Sequence, residues 1–139
     1  MLTAVPLNKW AVVYLDKNET VVRNFCKMMQ QQGPRMGLQI ALPKPIKLPN
    51  DRTETYLKEI RNIIDPSVQL VMTIFPQMKS DRYAAIKKLC CVEMPVASQV
   101  INFKTISNDK RLASVVQKVA LQVNCKLGGE VRWDIFCKK

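Results

Sequence analysis

Tyr83 and Lys87 stand four residues apart in DRYAAIKKLCC, and Gln122 and Lys126 stand four apart in VALQVNCKLGG. Between the two stretches lies Ser98-Gln99, in MPVASQVI. Residues at i and i+4 share one face of a helix. An aromatic ring beside an ammonium suits a nucleotide, because the ring can stack on a base while the cation meets a phosphate. A glutamine in an otherwise apolar strand needs a hydrogen-bond partner where it is buried. Lys118 falls one turn before Gln122 on the same line. Spacing alone allows a plainer reading: each pair is also the ordinary solvated side of an amphipathic helix.

Other chemistries lack their residues. The chain has no histidine, which excludes Ser-His-Asp and Cys-His nucleophile activation and an HExxH zinc site. The five cysteines (Cys26, Cys90, Cys91, Cys125, Cys137) form no CxxC pair and read as free thiols of a reducing compartment. Neither GxGxxG nor GxxxxGK[ST] occurs, so dinucleotide binding and P-loop hydrolysis are not expected. Asp16, Asp51, Asp65 and Asp81 read as separate loop or capping residues rather than one hydrolytic cluster. Met28, Met29 and Met72 read as core filler.

The 139 residues carry 22 Lys+Arg against 11 Asp+Glu, a net +11, which favours a polyanionic partner. The excess is +4 over residues 1–78 and +7 over residues 79–139, the half that holds the candidate site. No long apolar run suggests a membrane span, and the N-terminus lacks the pattern of a signal peptide.

The elements that must position these residues follow from periodicity. Trp10–Leu15 reads as a buried strand. Asn18 is placed to cap the next helix, with Val21, Phe25, Met28 and Met29 on its apolar face and Gly33-Pro34 as its stop. Leu38–Leu42 reads as a second strand, and PKPIKLPND, with three prolines, as a loop. Thr53 is placed to cap a second helix, which carries Tyr56, Leu57, Ile60, Ile63 and Ile64 on its apolar face and ends at Asp65-Pro66. Val68–Phe75 reads as a central parallel strand. A third helix runs from about Asp81 to Cys90, a fourth strand spans Ala97–Thr105, and a last helix runs from about Lys110 to Lys126. The last helix has an apolar stripe of Leu112, Val115, Val116, Val119, Ala120 and Val123. Gly128-Gly129 would stop it, and Val131–Phe136 reads as another strand. The expected fold is α/β and Rossmann-like: a mostly parallel, four-stranded central sheet with helices on both faces. Ligands of such sheets bind beyond the carboxyl ends of the strands, which draws the segment Pro76–Arg82 and the start of the third helix toward the site. The helix N-terminus there adds free N–H groups and partial positive charge.

The pattern Tyr-x-x-x-Lys, a Ser-Gln pair about a dozen residues on, and a helix ending in Asn124-Cys125-Lys126-Leu127-Gly128-Gly129 resembles the MID domain of Argonaute-family proteins, in wording closest to the Piwi clade. The resemblance is specific over residues 74–129 and weaker over residues 1–73. It implies a module, not an enzyme, that anchors the 5′-phosphate and first nucleotide of a guide RNA (a piRNA) in RNA silencing. It implies that the Tyr83 ring stacks on the first base. The Tyr83 hydroxyl, Lys87, Gln99, Gln122 and Lys126 would hold the phosphate. A loop of Gln77, Met78, Lys79, Ser80, Asp81 and Arg82 would read the base, with a preference for uridine. Many Argonautes carry lysine where this chain has Gln122. The resemblance therefore implies that Mg²⁺ bridges the phosphate near Gln122, although no cofactor is required. It further implies a MID domain over residues 1–127 and a truncated start of the PIWI domain over 128–139. The parent protein would be a cytoplasmic monomer off the membrane, with perinuclear granules or the nucleus as further locations. The alternative is a flavodoxin-like small-molecule-binding domain or enzyme.

Overall fold

A computed structural model describes residues 6–127, and its core is a sheet of four parallel strands. In chain order the elements are β1 (Trp10–Leu15), α1 (Glu19–Gln32), β2 (Lys44–Leu48), α2 (Thr53–Ile63), β3 (Leu70–Phe75), α3 (Ser80–Lys88), β4 (Ala97–Asn102), α4 (Phe103–Ile106) and α5 (Leu112–Lys126). The spatial order is β2-β1-β3-β4, so the chain turns back on itself between β1 and β3. The expected α/β architecture, with helices on both faces, is the one observed.

Side-chain alternation along β1 divides the core. Trp10, Val12 and Tyr14 pack with Val22, Phe25 and Met29 of α1 and Val116, Val119 and Val123 of α5. Ala11, Val13 and Leu15 pack with Tyr56 and Ile60 of α2 and Ile86 of α3. All six residues of β1 and of β3 are buried, as parallel strands covered on both faces require.

Several expectations need correction. The second strand is not Leu38–Leu42 but Lys44–Leu48, inside the proline-rich stretch read as a loop. Strand β2 is an edge strand, where proline is tolerated because an N–H can be missing on the open side. Its Ile46 and Leu48 are buried while Lys44, Pro45 and Lys47 are exposed, a half-buried alternation. Of Leu38–Leu42, only Ile40 makes a sheet contact, a bridge to Leu7. The buried face of α1 is Val22, Phe25, Cys26 and Met29, one residue off the expected phase, with Val21 and Met28 at its margin. Asn18 occupies the N-cap position of α1, but its side chain makes no capping hydrogen bond. Thr53 is the first residue of α2. The turn before it is held by Asn50 Oδ1, which accepts from the Arg52 N–H (3.1 Å) and the Thr55 hydroxyl (2.7 Å). Strand β4 ends at Asn102, whose side chain accepts from the Lys104 N–H and starts α4. The Gly128-Gly129 stop and the strand Val131–Phe136 lie outside the described residues. Among those residues no helix is long and apolar enough to cross a membrane.

Candidate nucleic-acid interface

Among the described residues strand β4 is the edge of the sheet opposite β2. Adjacent side chains on a strand point to opposite faces. Ser98 is buried on the α3 side, and Gln99 is half-buried on the α5 side. Helices α3 and α5 therefore reach β4 from opposite faces, and their last turns carry Lys87 and Lys126. The two ammonium groups meet at one atom. Lys87 Nζ lies 3.4 Å and Lys126 Nζ 2.8 Å from the Ser98 carbonyl oxygen.

Each lysine has a second anchor. Lys87 donates to the Ser98 hydroxyl at 3.1 Å, and Lys126 donates to Gln99 Oε1 at 2.6 Å. The Gln99 amide passes the connection on, donating from Nε2 to Gln122 Oε1 at 3.1 Å. Lys87 Nζ also stands 5.6 Å from the centre of the Tyr83 ring, which is 41% exposed. Tyr83, Lys87, Gln99, Gln122 and Lys126, five residues from two helices and a strand, thus form one connected group with Ser98 at its centre.

The Ser98 oxygens and the Gln99 amide oxygen are neutral acceptors that orient the ammonium groups. Among the described residues no carboxylate lies within ion-pair distance of Lys87. Two ammonium groups directed at one neutral oxygen suit the binding of an anion between them. A groove of about 290 Å³ continues from Gln99 and Gln122 along β4, past Asn102, Thr105 and Lys118.

The position of this group differs from the expectation for a doubly wound sheet. Ser98 is the second residue of β4, so the lysines gather toward the amino end of that strand. They sit in last helical turns, where the helix macrodipole favours cations. The start of α3 therefore contributes Tyr83 and its preceding loop, but no N-terminal N–H groups to the lysine pair.

The loop proposed to read the base is shorter than expected. Ser80 and Asp81 already belong to α3, which leaves Gln77, Met78 and Lys79 exposed in the connection. Arg82 does not belong with them. It is 2% exposed, and its guanidinium carbon lies 5.0 Å from the Tyr56 ring centre and 4.9 Å from that of Phe75. Its Nη2 donates to the Asp51 carbonyl at 2.7 Å and to Asp51 Oδ2 at 3.3 Å. Arg82 thus ties the start of α3 to the β2–α2 loop from inside the core. A charged letter in a polar run hid this role. The only clue in the sequence was its helical spacing from Ile86, which also faces the core.

Burial pushes the Cys26 thiol up to about 12 and the Cys90 thiol up to about 11. Burial also raises the Cys125 thiol, next to Lys126 in the chain. The Ser67 hydroxyl and N–H hold the Asp65 carboxyl down at about 2, with Lys9 adding to the effect.

Comparison with known proteins fits this geometry. The Piwi domain family model matches residues 70–138, which includes every residue of the cluster. Protein argonaute-3 of Drosophila melanogaster is 42% identical over 97% of this chain and 16% of its own length. Piwi-like protein Ago3 of Bombyx mori is 39% identical over 97% of this chain and 14% of its own length. The crystal structure of Drosophila Piwi aligns with a TM-score of 0.85 at 32% identity, covering 89% of this chain and 17% of that one. The Arabidopsis thaliana AGO5 MID domain shares the fold, with a TM-score of 0.65 at 23% identity over 93% of this chain and 95% of that one. The chain belongs to the Argonaute family, Piwi clade, and has the fold of a MID domain. It spans 14–16% of the length of these curated relatives.

Proposed function

We propose that this domain anchors the 5′-phosphorylated end of a small guide RNA, a piRNA, and does no chemistry itself. The observation that carries the reading is the convergence of Lys87 and Lys126 on the Ser98 carbonyl oxygen, from opposite faces of the sheet. The phosphate binds where the two ammonium groups meet, with the Gln99 and Gln122 amides beside it. The first base stacks on Tyr83, whose exposed ring is one helical turn from Lys87. Gln77, Met78 and Lys79 then border the edge of that base, and uridine is the preferred one.

Gln122 cannot neutralise charge as a lysine would. Its Oε1 has a second lone pair beyond the one that accepts from Gln99, and Mg²⁺ prefers oxygen ligands. A magnesium ion bridging the guide phosphate near Gln122 completes the proposal. Residues 128–139 begin the PIWI domain of the parent protein, which works in the cytoplasm or nucleus as a monomer on RNA.

The test compares short RNAs that differ only in a 5′-phosphate or a 5′-hydroxyl. Tighter binding of the phosphorylated strand, independent of its length, is expected. Affinity that grows with length and ignores the 5′ group would instead mark a generic basic RNA-binding surface.

A further inference from the structure

Arg82 carries a cost that core packing does not require. It is 2% exposed, and its Nε and Nη1 have no hydrogen-bond partner among the described residues. Its carboxylate contact, Asp51 Oδ2 at 3.3 Å, comes from a side chain that is itself half exposed. A partly satisfied charge in a core seldom adds stability, because an apolar side chain of similar volume commonly does as well or better. The guanidinium is therefore expected to do something an apolar side chain there could not.

Its place in the chain points to what that is. Phe75 ends β3 and Ser80 opens α3, so only Pro76, Gln77, Met78 and Lys79 lie between. Arg82 stands in the first turn of α3, and its guanidinium carbon is 4.9 Å from the centre of the Phe75 ring. The residue that leads into the connection and the helical turn that leads out of it are thus fastened to each other. Arg82 Nη2 ties both to the β2–α2 connection, through the Asp51 carbonyl oxygen at 2.7 Å. The side chains of the connection add no fastening of their own. Among the described residues, neither Gln77 nor Lys79 has a side-chain hydrogen bond or ion pair.

Stacking on Tyr83 accepts any base, so discrimination falls to the connection that borders the base edge. A recognition group is selective only as far as the shell behind it holds it in one geometry. We infer that Arg82 is the positioning residue for base recognition. It holds residues 77–79 in the conformation that reads the first base and takes no part in binding the phosphate. The inference rests on the guide-anchoring reading and adds to it the residue on which base selectivity depends.

Backbone relaxation and calorimetry on the full 139-residue chain test it. Arg82→Met fills much the same space without the charge, so the fold should hold. In the free wild-type chain the amides of residues 77–79 should have order parameters near about 0.85, and in Arg82→Met these should fall below about 0.6. The wild type should favour uridine monophosphate over the other three nucleoside monophosphates, and in Arg82→Met that preference should be lost or reduced about threefold or more. The gain of uridine monophosphate over uridine, which reads the phosphate anchor, should stay as in the wild type. A connection already disordered in the wild type would overturn the inference without any variant. A connection still ordered in Arg82→Met, or an undiminished base preference, would overturn it too. Four equal affinities in the wild type would overturn it together with the uridine preference. Equal affinity for uridine and its monophosphate would strike the anchoring reading and the inference with it, so the failures are told apart.

Discussion

Lys87 and Lys126, thirty-nine residues apart in the chain, donate to the same carbonyl oxygen, that of Ser98. Neither helix alone would hold two cations so close. The edge strand β4 brings them together, because its backbone can be approached from both faces of the sheet. The pair is built before any ligand arrives, so an entering phosphate meets oriented donors and less ordering remains to be done.

The first prediction concerns these donors. Each charge-assisted hydrogen bond to phosphate contributes roughly 1.5–3 kcal/mol. Lys87→Ala and Lys126→Ala should each weaken nucleoside monophosphate binding about tenfold or more. Both variants should keep the fold, which thermal denaturation checks. Unchanged affinity in both variants would remove the pair from the site.

The second prediction concerns magnesium. Monophosphate affinity should rise with Mg²⁺ over EDTA at matched ionic strength in the wild-type chain. Gln122→Lys should bind well without the metal and gain nothing from it, the lysine supplying the missing charge. A wild-type chain indifferent to magnesium would rule out the bridge, leaving Gln122 to hydrogen-bond the phosphate directly.

Arg82 carries the third. Its guanidinium lies between Tyr56 and Phe75, and its Nε and Nη1 have no hydrogen-bond partner among the described residues. Arg82→Ala leaves a cavity and frees the Asp51 loop, and should cost about 3 kcal/mol of stability. Arg82→Met refills the space without charge and should recover most of the loss. Chemical denaturation of both variants measures this, and equal destabilisation by Ala and Met would contradict the packing role.

The fourth uses the thiols. Burial holds Cys26 and Cys90 protonated well above neutral pH, whereas Cys91 is exposed. Because the thiolate is the nucleophile, iodoacetamide should label Cys91 before Cys26 and Cys90 and leave those two largely unmodified up to about pH 9. Peptide mapping by mass spectrometry would show it, and early modification of Cys26 would contradict the packing of α1.

What could be read from the sequence tracks how local each signal is. Strand β1 and the stripe of α5 were legible because unbroken apolar runs and i, i+3, i+4 spacing survive any tertiary context. Strand β2 was not, since its prolines argue for a loop until the neighbouring β1 makes Lys44–Leu48 an edge. The i, i+4 pairs Tyr83/Lys87 and Gln122/Lys126 were visible as helix faces. Their meeting point was not, because it is a backbone oxygen and every residue has one. Arg82 and Asn18 were misread for a shared reason: polar side chains suggest surface or cap, and only the folded chain reveals which are enclosed.

The most direct test of the central claim is calorimetric titration of the chain with uridine monophosphate and with uridine. Binding of the monophosphate about tenfold or more tighter than the nucleoside, with the difference abolished in Lys87→Ala/Lys126→Ala, is the predicted result. Equal affinity for uridine and its monophosphate, or a phosphate preference that survives loss of both lysines, would contradict it.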